Sequence, residues 1–211
     1  MNQIVLLGDS VFDNAAYVEP GPNVNSQLNA LLPIGWSSTL LAVDGSVTDD
    51  VTSQADNVPA AATHIVLSTG GNDALGHQAF LSGSASSVAS VLLELSQFTA
   101  HFRESYRALL SILGEINIPV TVCTIYDPSF SDPTYAQVAS AALAGFNSVI
   151  VQEAAIASFD VLDLRLLFIS PKDYAHEIEP SVVGGAKIAS AVCDLTVRRD
   201  GMLPTRSRLW P

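Results

Sequence analysis

Short β-branched runs alternate with longer helical patterns along this chain, and this alternation constrains the fold more than any other feature of the sequence. Five runs predict β-strands: Gln3–Leu7, Thr39–Val43, His64–Ser68, Val120–Thr124 and Asp160–Leu164. Four stretches with apolar residues every three or four positions predict helices: Val24–Leu32, Ser86–Glu115, Pro133–Ala157 and Ser181–Arg199. Strands that alternate with helical crossovers are typical of a parallel sheet covered on both faces. We therefore expect an α/β fold, a three-layer α/β/α sandwich with a five-stranded parallel sheet.

Length and composition favour a single folded domain. The chain has 211 residues, of which 48% are apolar and 14% are charged. This length fits one compact domain with ample material for a core. We expect the domain to span 1–199 and a tail to follow over 200–211. Four basic residues cluster in this last part of the chain: Arg198, Arg199, Arg206 and Arg208. We expect the basic tail to lie back on the acidic domain, with a partner-binding tail as the alternative.

The charge balance limits the partners. Nine Lys and Arg against 21 Asp and Glu give a net charge of −12, which repels phosphate backbones and anionic lipid heads. We therefore expect no nucleic acid and no membrane as a partner. No apolar run approaches the roughly eighteen residues that span a bilayer, and the first strand begins at Gln3 without an export signal before it. The protein is predicted to be cytoplasmic, unless a signal was removed before this numbering, and to be a monomer or homodimer.

Sequence motifs for metals and cofactors are absent. Cys123 and Cys193 lie far apart in apolar contexts, which predicts two buried reduced thiols, with one disulfide as the alternative. No Cys/His spacing typical of zinc is present, and neither phosphate-binding glycine motif occurs. We expect no cofactor and no metal. The remaining metal alternative combines Asp173 and His176 with Glu177 and Glu179.

Polar segments follow the predicted strands at the positions where the strands end. They are Gly8-Asp9-Ser10, Asp44-Gly45-Ser46, Gly70-Gly71-Asn72-Asp73 and, shortly after the fifth strand, Asp173-Tyr174-Ala175-His176. Ligands bind at the carboxyl ends of strands in doubly wound sheets, so we expect these segments to meet at one rim. Acyl transfer needs a nucleophile, a base, a carboxylate that orients the base, and donors for an oxyanion. The rim contains residues suited to each task.

The residue types at this rim indicate their roles. Ser10 lies where a strand turns toward a helix and is the candidate nucleophile, and His176 is the candidate base. Asp173 comes three residues earlier and can orient the imidazole. The backbone N–H groups of Ser10 and Gly45 and the side-chain amide of Asn72 are the candidate oxyanion donors.

Each of these residues also has a purely structural interpretation. Ser10 suits a helix cap, Gly45 an ordinary turn, and Asn72 a left-handed backbone position beside two glycines. Asp13 and Asn14, which follow the nucleophile, suit the capping of a first helical turn.

Together these motifs resemble those of the SGNH hydrolases, the GDSL esterase/lipase superfamily. The resemblance rests on Gly8-Asp9-Ser10-Val11, Gly45, the G-x-N-D run Gly70–Asp73 and the D-x-x-H run Asp173–His176. It implies a flavodoxin-like fold, a triad of Ser10, His176 and Asp173, and an oxyanion hole formed by Ser10, Gly45 and Asn72. Val11 replaces the leucine of the family name. The candidate substrate contacts are Asp9, Val11, Asp73 and Tyr126.

The resemblance implies a serine esterase that hydrolyses carboxylic esters with short or small acyl groups through an acyl-enzyme intermediate. A carbohydrate O-deacetylase, a lysophospholipase, a thioesterase and a catalytically inactive binding protein are the alternatives. The aromatic content of 7% and the absence of a lid segment favour a small, solvent-accessible acyl pocket. The sequence has no G-x-S-x-G elbow, which disfavours the α/β-hydrolase fold.

Overall fold

A parallel β-sheet forms the centre of the molecule. The structure, a computed structural model, describes residues 1–197 and 209–210. The strands are β1 (Asn2–Gly8), β2 (Trp36–Leu40), β3 (His64–Ser68), β4 (Val120–Cys123), β5 (Asp160–Leu162) and β6 (Leu209–Trp210). Every pairing among them is parallel, in the order β2-β1-β3-β4-β5-β6. The first five strands have the flavodoxin-like order, and the predicted parallel α/β sheet is confirmed.

Two details of the sheet differ from the prediction. The second strand lies three residues earlier than the predicted Thr39–Val43, which was wrong because β2 is an edge strand and accepts the polar residues Ser37 and Ser38. The short strand β6 was not predicted. It pairs with β5, Leu209 with Val161 and Trp210 with Leu162, so this part of the tail lies against the domain. The basic cluster of the tail, from Arg198 to Arg208, lies outside the described residues.

Seven helices connect the described strands. They are α1 (Ala15–Val18), α2 (Val24–Leu31), α3 (Thr48–Ala55), α4 (Gly71–Leu75), α5 (Val88–Glu115), α6 (Pro133–Ala157) and α7 (Val182–Val197). Short 3₁₀ segments cover Gln78–Ser82, Leu164–Leu166 and Pro171–Asp173. Helix α3 was not predicted, because Val51 is its one large buried apolar residue and three of its first four positions are Thr48, Asp49 and Asp50.

The core lies in two layers on opposite faces of the sheet, as the alternation of side chains along β1 requires. Val5 and Leu7 pack into a cluster with residues of α3, α5 and α6. Ile4 and Leu6 pack into a second cluster with residues of α2 and α7. All four side chains are completely buried. This arrangement confirms the three-layer sandwich.

Helices α5 and α6 are joined by two ion pairs that share one buried carboxylate. The Glu153 carboxylate accepts hydrogen bonds from Arg103 Nη1 at 2.5 Å and from Arg107 Nε at 2.8 Å.

By length and composition alone, α6 is also long and apolar enough to cross a membrane. In this fold it packs against α5 and the sheet and contributes Phe146 and Ile150 to the core.

Candidate active site

The end of β1 presents Ser10 at the rim of the sheet. Gly8 has a φ of +131°, and a Cβ there would lie 1.7 Å from the carbonyl oxygen of Ser68, so glycine is required. The side chain of Gln54 in α3 accepts a hydrogen bond from the Gly8 N–H and donates one to the Gly8 carbonyl, both at 2.8 Å. Two residues later, Ser10 is half-buried. The turn that carries the candidate nucleophile is therefore held by buried hydrogen bonds.

The loops after β2 and β3 are tied to each other. The Asn72 side chain donates a hydrogen bond to the Ser46 carbonyl at 2.9 Å. One oxygen of Asp73 accepts hydrogen bonds from the N–H and the hydroxyl of Thr48, both at 3.0 Å. Asp73 was a candidate substrate contact, but its carboxylate is engaged by Thr48 and it does not line the cavity beside Ser10. Because Asp73 follows Asn72 directly, its hydrogen bonds to Thr48 also restrain the backbone at Asn72.

The three candidate oxyanion donors have N–H groups without a protein partner. Within residues 1–197, the backbone N–H groups of Ser10 and Gly45 donate no hydrogen bond. Asn72 uses one side-chain N–H for Ser46 and keeps the second. Gly45 has a φ of +81° and is open to solvent, since a Cβ there would meet no atom within 4 Å. The three groups are thus free to bind an added oxygen atom.

Asp9 adds a buried carboxyl group beside Ser10. It is 3% exposed and lines the cavity. Burial raises its pKa from 3.8 to about 7, although the Val11 N–H donates to its Oδ1 at 3.1 Å and opposes the shift. The nearby charges of Asp73 and Asp44 raise the pKa of Asp9 further. Near neutral pH this group therefore exists in both protonation states.

An apolar cavity of about 110 Å³ opens beside Ser10. Its walls come from α5, α6, the segment Gln78–Ser82 and the loop after β4, and Asp9, Val11, Asn72 and Tyr126 also line it. Six aromatic residues take part: Phe80, Phe98, Phe130, Phe146, Tyr126 and Tyr135. The pocket is thus lined with more aromatic surface than the low aromatic content of the chain had suggested, because these residues are concentrated in one place.

The segment 173–181 forms a small hairpin that carries His176. The Ala175 N–H donates to the Glu179 carbonyl at 2.9 Å, and the Ser181 N–H donates to the Asp173 carbonyl at 2.9 Å. His176 lies at the exposed tip. Its ring contacts Tyr17 edge to face, with centroids 5.9 Å apart. In the part of the chain that the structure describes, His176 makes no hydrogen bond to Ser10 or Asp173.

Two neighbours of this hairpin fix its surroundings. The Tyr126 hydroxyl donates to the Ile178 carbonyl at 2.5 Å, which anchors the tip of the hairpin to the loop after β4. The Tyr17 hydroxyl donates to Asp44 at 2.8 Å, and this bond raises the pKa of Tyr17 to about 12. Tyr126 was a candidate substrate contact, and it both lines the cavity and supports the hairpin.

Asp173, at the base of the hairpin, is almost completely buried. Its Oδ2 accepts hydrogen bonds from Lys187 Nζ at 2.8 Å and from the N–H groups of Ile169 at 3.1 Å and Ser170 at 3.0 Å. Its Oδ1 is buried and has no hydrogen-bond partner in the structure. Gly184 leaves room for this segment, since a Cβ there would lie 2.1 Å from the Asp173 carbonyl oxygen.

One family model matches most of the chain. Residues 6–182 match the GDSL-like lipase/acylhydrolase family. The chain belongs to this family. It matches no curated protein in sequence.

Solved structures with the same fold include several lipolytic enzymes. The lipase Lip_vut3 from a goat rumen metagenome has a TM-score of 0.71 and 20% identity, with 95% of this chain and 98% of that chain covered. The extracellular lipase from Streptomyces rimosus has a TM-score of 0.64 and 18% identity, with 89% and 96% covered. Phospholipase A1 from Streptomyces albidoflavus NA297 has a TM-score of 0.61 and 18% identity, with 88% and 94% covered. These similarities establish a shared fold.

In this member of the GDSL-like family, three residues near the site were not among the predicted site residues. Gln54 and Thr48 lie on the unpredicted helix α3, and Lys187 belongs to α7. Each forms a hydrogen bond with a partner at least 14 residues away along the chain. The metal alternative is not supported, because the described residues contain no cluster of three His, Cys, Asp or Glu side chains that suits a metal ion.

Proposed function

We propose that this protein is a serine hydrolase that cleaves neutral carboxylic esters through an acyl-enzyme intermediate. Ser10 is the nucleophile, His176 the general base and acid, and Asp173 the residue that orients His176. The observation that carries the proposal is the cavity beside Ser10, which combines apolar walls with N–H donors that have no protein partner.

The reaction follows from the roles of these groups. Ser10 Oγ attacks the ester carbonyl while His176 takes the hydroxyl proton, and the former carbonyl oxygen becomes an oxyanion. The N–H groups of Ser10 and Gly45 and the Asn72 amide bind this oxyanion. His176 then returns the proton to the leaving alcohol, and an acyl group remains on Ser10. Water activated by His176 releases the carboxylic acid in a second pass.

The unpartnered oxygen of Asp173 supports its role in orienting His176. An unsatisfied buried acceptor costs about 1 to 3 kcal/mol, more when it is charged, so a donor at Asp173 Oδ1 is favoured. His176 lies three residues further on, and its ring nitrogens make no hydrogen bond to Asp173 in the described conformation. We propose that the ring turns from Tyr17 toward Asp173 and Ser10 when substrate binds. Lys187 keeps the other carboxylate oxygen engaged.

The net charge of −12 favours neutral over anionic esters. The structural neighbours do not indicate which alcohol the substrate contains, because they include lipases, a phospholipase A1 and an acetyl xylan esterase.

The test is labelling and turnover at Ser10. Purified protein is treated with a fluorophosphonate, and the modified residue is located by peptide mass spectrometry. Hydrolysis of p-nitrophenyl butanoate is followed in parallel for the wild type, Ser10→Ala and His176→Ala. We expect labelling at Ser10, and losses on the order of 10⁴-fold or more in kcat for both variants.

His101→Ala is the matched control, since His101 is exposed on α5, does not line the cavity and does not belong to the proposed triad. It should retain turnover within about tenfold of wild type. Unchanged turnover in folded Ser10→Ala protein would disprove the assignment. A folded wild-type protein that neither reacts with the probe nor hydrolyses esters would instead indicate an inactive binding protein.

A further inference from the structure

We propose that the cavity beside Ser10 selects esters with a linear acyl chain of about four to six carbons, and that Ala139 and Ala142 of α6 set this length. The inference rests on the proposed function and names the substrate class of the same site.

The position of the cavity assigns it to the acyl part of the ester. Ser10 and Asn72 line the cavity, so a carbonyl held between them lies at its boundary. The leaving alcohol must face the histidine that protonates it. His176 and its ring partner Tyr17 do not line the cavity. The alcohol therefore leaves toward His176, and the acyl chain extends into the cavity.

The walls of the cavity suit an unbranched hydrocarbon chain. Leu95 and Phe98 of α5 contribute to one wall, and Leu143 and Phe146 of α6 contribute to another. No Lys or Arg lines the cavity among residues 1–197, and Asp9 is the one carboxyl group in its lining. A chain of methylene groups gains free energy when such a surface removes it from water.

The size of the cavity sets the length. An apolar cavity of about 150 Å³ holds one benzene molecule, which has six carbon atoms. By the same ratio, a cavity of 110 Å³ holds about four carbons. With the carbonyl carbon outside it at Ser10, the best acyl group falls between butanoyl and hexanoyl.

Two alanines of α6 leave this room. Tyr135, Ala139, Ala142 and Phe146 follow one another at three- and four-residue intervals, so they form one stripe along the helix. Ala139 is buried and Ala142 half-buried, and both line the cavity. Leucine at position 142 would add three carbon atoms, which is most of the volume that a four-carbon chain needs. The small side chains thus determine how far an acyl chain enters.

The first experiment measures kcat/KM for p-nitrophenyl acetate, butanoate, hexanoate, octanoate and decanoate with the wild type. Each methylene buried in the cavity should raise kcat/KM about fourfold, so hexanoate should exceed acetate by at least about tenfold. Chains from octanoate upward should gain nothing further. A wild type that prefers acetate to hexanoate would overturn the proposal.

The second experiment changes the cavity in opposite directions. In Ala142→Leu protein the ratio of hexanoate to acetate kcat/KM should fall by at least about tenfold, and in Leu143→Ala the preferred chain should lengthen. Ala141→Leu is the control, because Ala141 lies on the exposed side of α6 and does not line the cavity. It should keep the wild-type profile. Should Ala142→Leu fail to fold, Leu143→Ala still provides the test.

The two proposals fail in different ways. If no ester is hydrolysed and no phosphonate labels Ser10, the proposed function fails, and the assignment of the cavity fails with it. If acetate is hydrolysed and Ser10 is labelled, but the chain-length profile is flat or is the same in both cavity variants, the proposed function stands and the inference about the cavity is wrong.

Discussion

The two sides of the candidate site are held very differently. The oxyanion side consists of the loops after β1, β2 and β3, which carry Ser10, Gly45 and Asn72. One buried and two partly buried hydrogen bonds hold these loops: Gln54 to Gly8, Thr48 to Asp73 and Asn72 to Ser46. The groups that would bind the oxyanion are therefore in place before substrate arrives.

The hairpin 173–181 is the other side. Its backbone is held at Ile178 by the Tyr126 hydroxyl and at its base by Asp173, but the His176 ring is held much less firmly. Asp173 accepts three hydrogen bonds at the base, whereas His176 at the tip is exposed and contacts a single aromatic ring. Stabilisation of developing charge depends on donors that need no reorganisation, whereas a proton carrier must change its contacts during each cycle. The difference indicates that rigidity is concentrated where the transition-state charge forms.

Among the variants that distinguish the two sides, the largest expected effect is on the rigid side. Replacing Asn72 with alanine removes one oxyanion donor and the bond to Ser46. We expect kcat for p-nitrophenyl butanoate to fall on the order of 10² to 10³-fold, with a much smaller change in KM. Asn57→Ala is the matched control, because exposed Asn57 also donates its amide to a nearby carbonyl, that of Ser53. If the Asn72 variant is folded and keeps its kcat, Asn72 has a structural role only.

A second prediction concerns the stability of the oxyanion side. Asp9 has a pKa of about 7 in the folded protein and about 3.8 when unfolded. The folded state therefore holds its proton more tightly, so this group lowers the free energy of unfolding as pH rises from about 4 to above 7. Asp9→Asn removes this penalty. The stability advantage of the variant over wild type should grow by about 2 to 3 kcal/mol between pH 5 and pH 8.

Urea unfolding of both proteins at the two pH values measures this difference. Asparagine can still accept the hydrogen bond from the Val11 N–H, so the turn should be preserved. Glu94→Gln on the exposed surface of α5 is the control and should show no such pH dependence. A constant difference between Asp9→Asn and wild type would mean that Asp9 is ionised at pH 5 in the folded state.

Much of the fold was predictable because its signals are local. The apolar runs of β1 and β3 are buried on both faces, so they appear in the sequence as continuous apolar segments. The motifs around Ser10 and Asn72 follow these strands directly, and strand order then brings them to one rim. The polar edge strand β2 lacked this signal, and its predicted register was wrong for that reason.

The supporting contacts of the site were not predicted from the sequence, because they join residues that are far apart in the chain. Gln54 supports Gly8 from 46 residues away, and Thr48 supports Asp73 from 25 residues away. Such contacts leave no periodic pattern. The D-x-x-H spacing likewise identified Asp173 and His176 but not the orientation of the ring, which depends on Tyr17 in another loop.

The smallest expected effect tests the loosely held side. If His176 must leave Tyr17 to reach Asp173, then Tyr17→Ala removes a contact worth about 0.5 to 1.5 kcal/mol in the resting state only. We expect kcat/KM to rise by about two- to tenfold. Tyr17→Phe is the matched control, because it keeps the ring and loses only the hydrogen bond to Asp44, and it should stay within about twofold of wild type. A tenfold loss in Tyr17→Ala, with wild-type activity in Tyr17→Phe, would show instead that the ring holds His176 in its catalytic orientation.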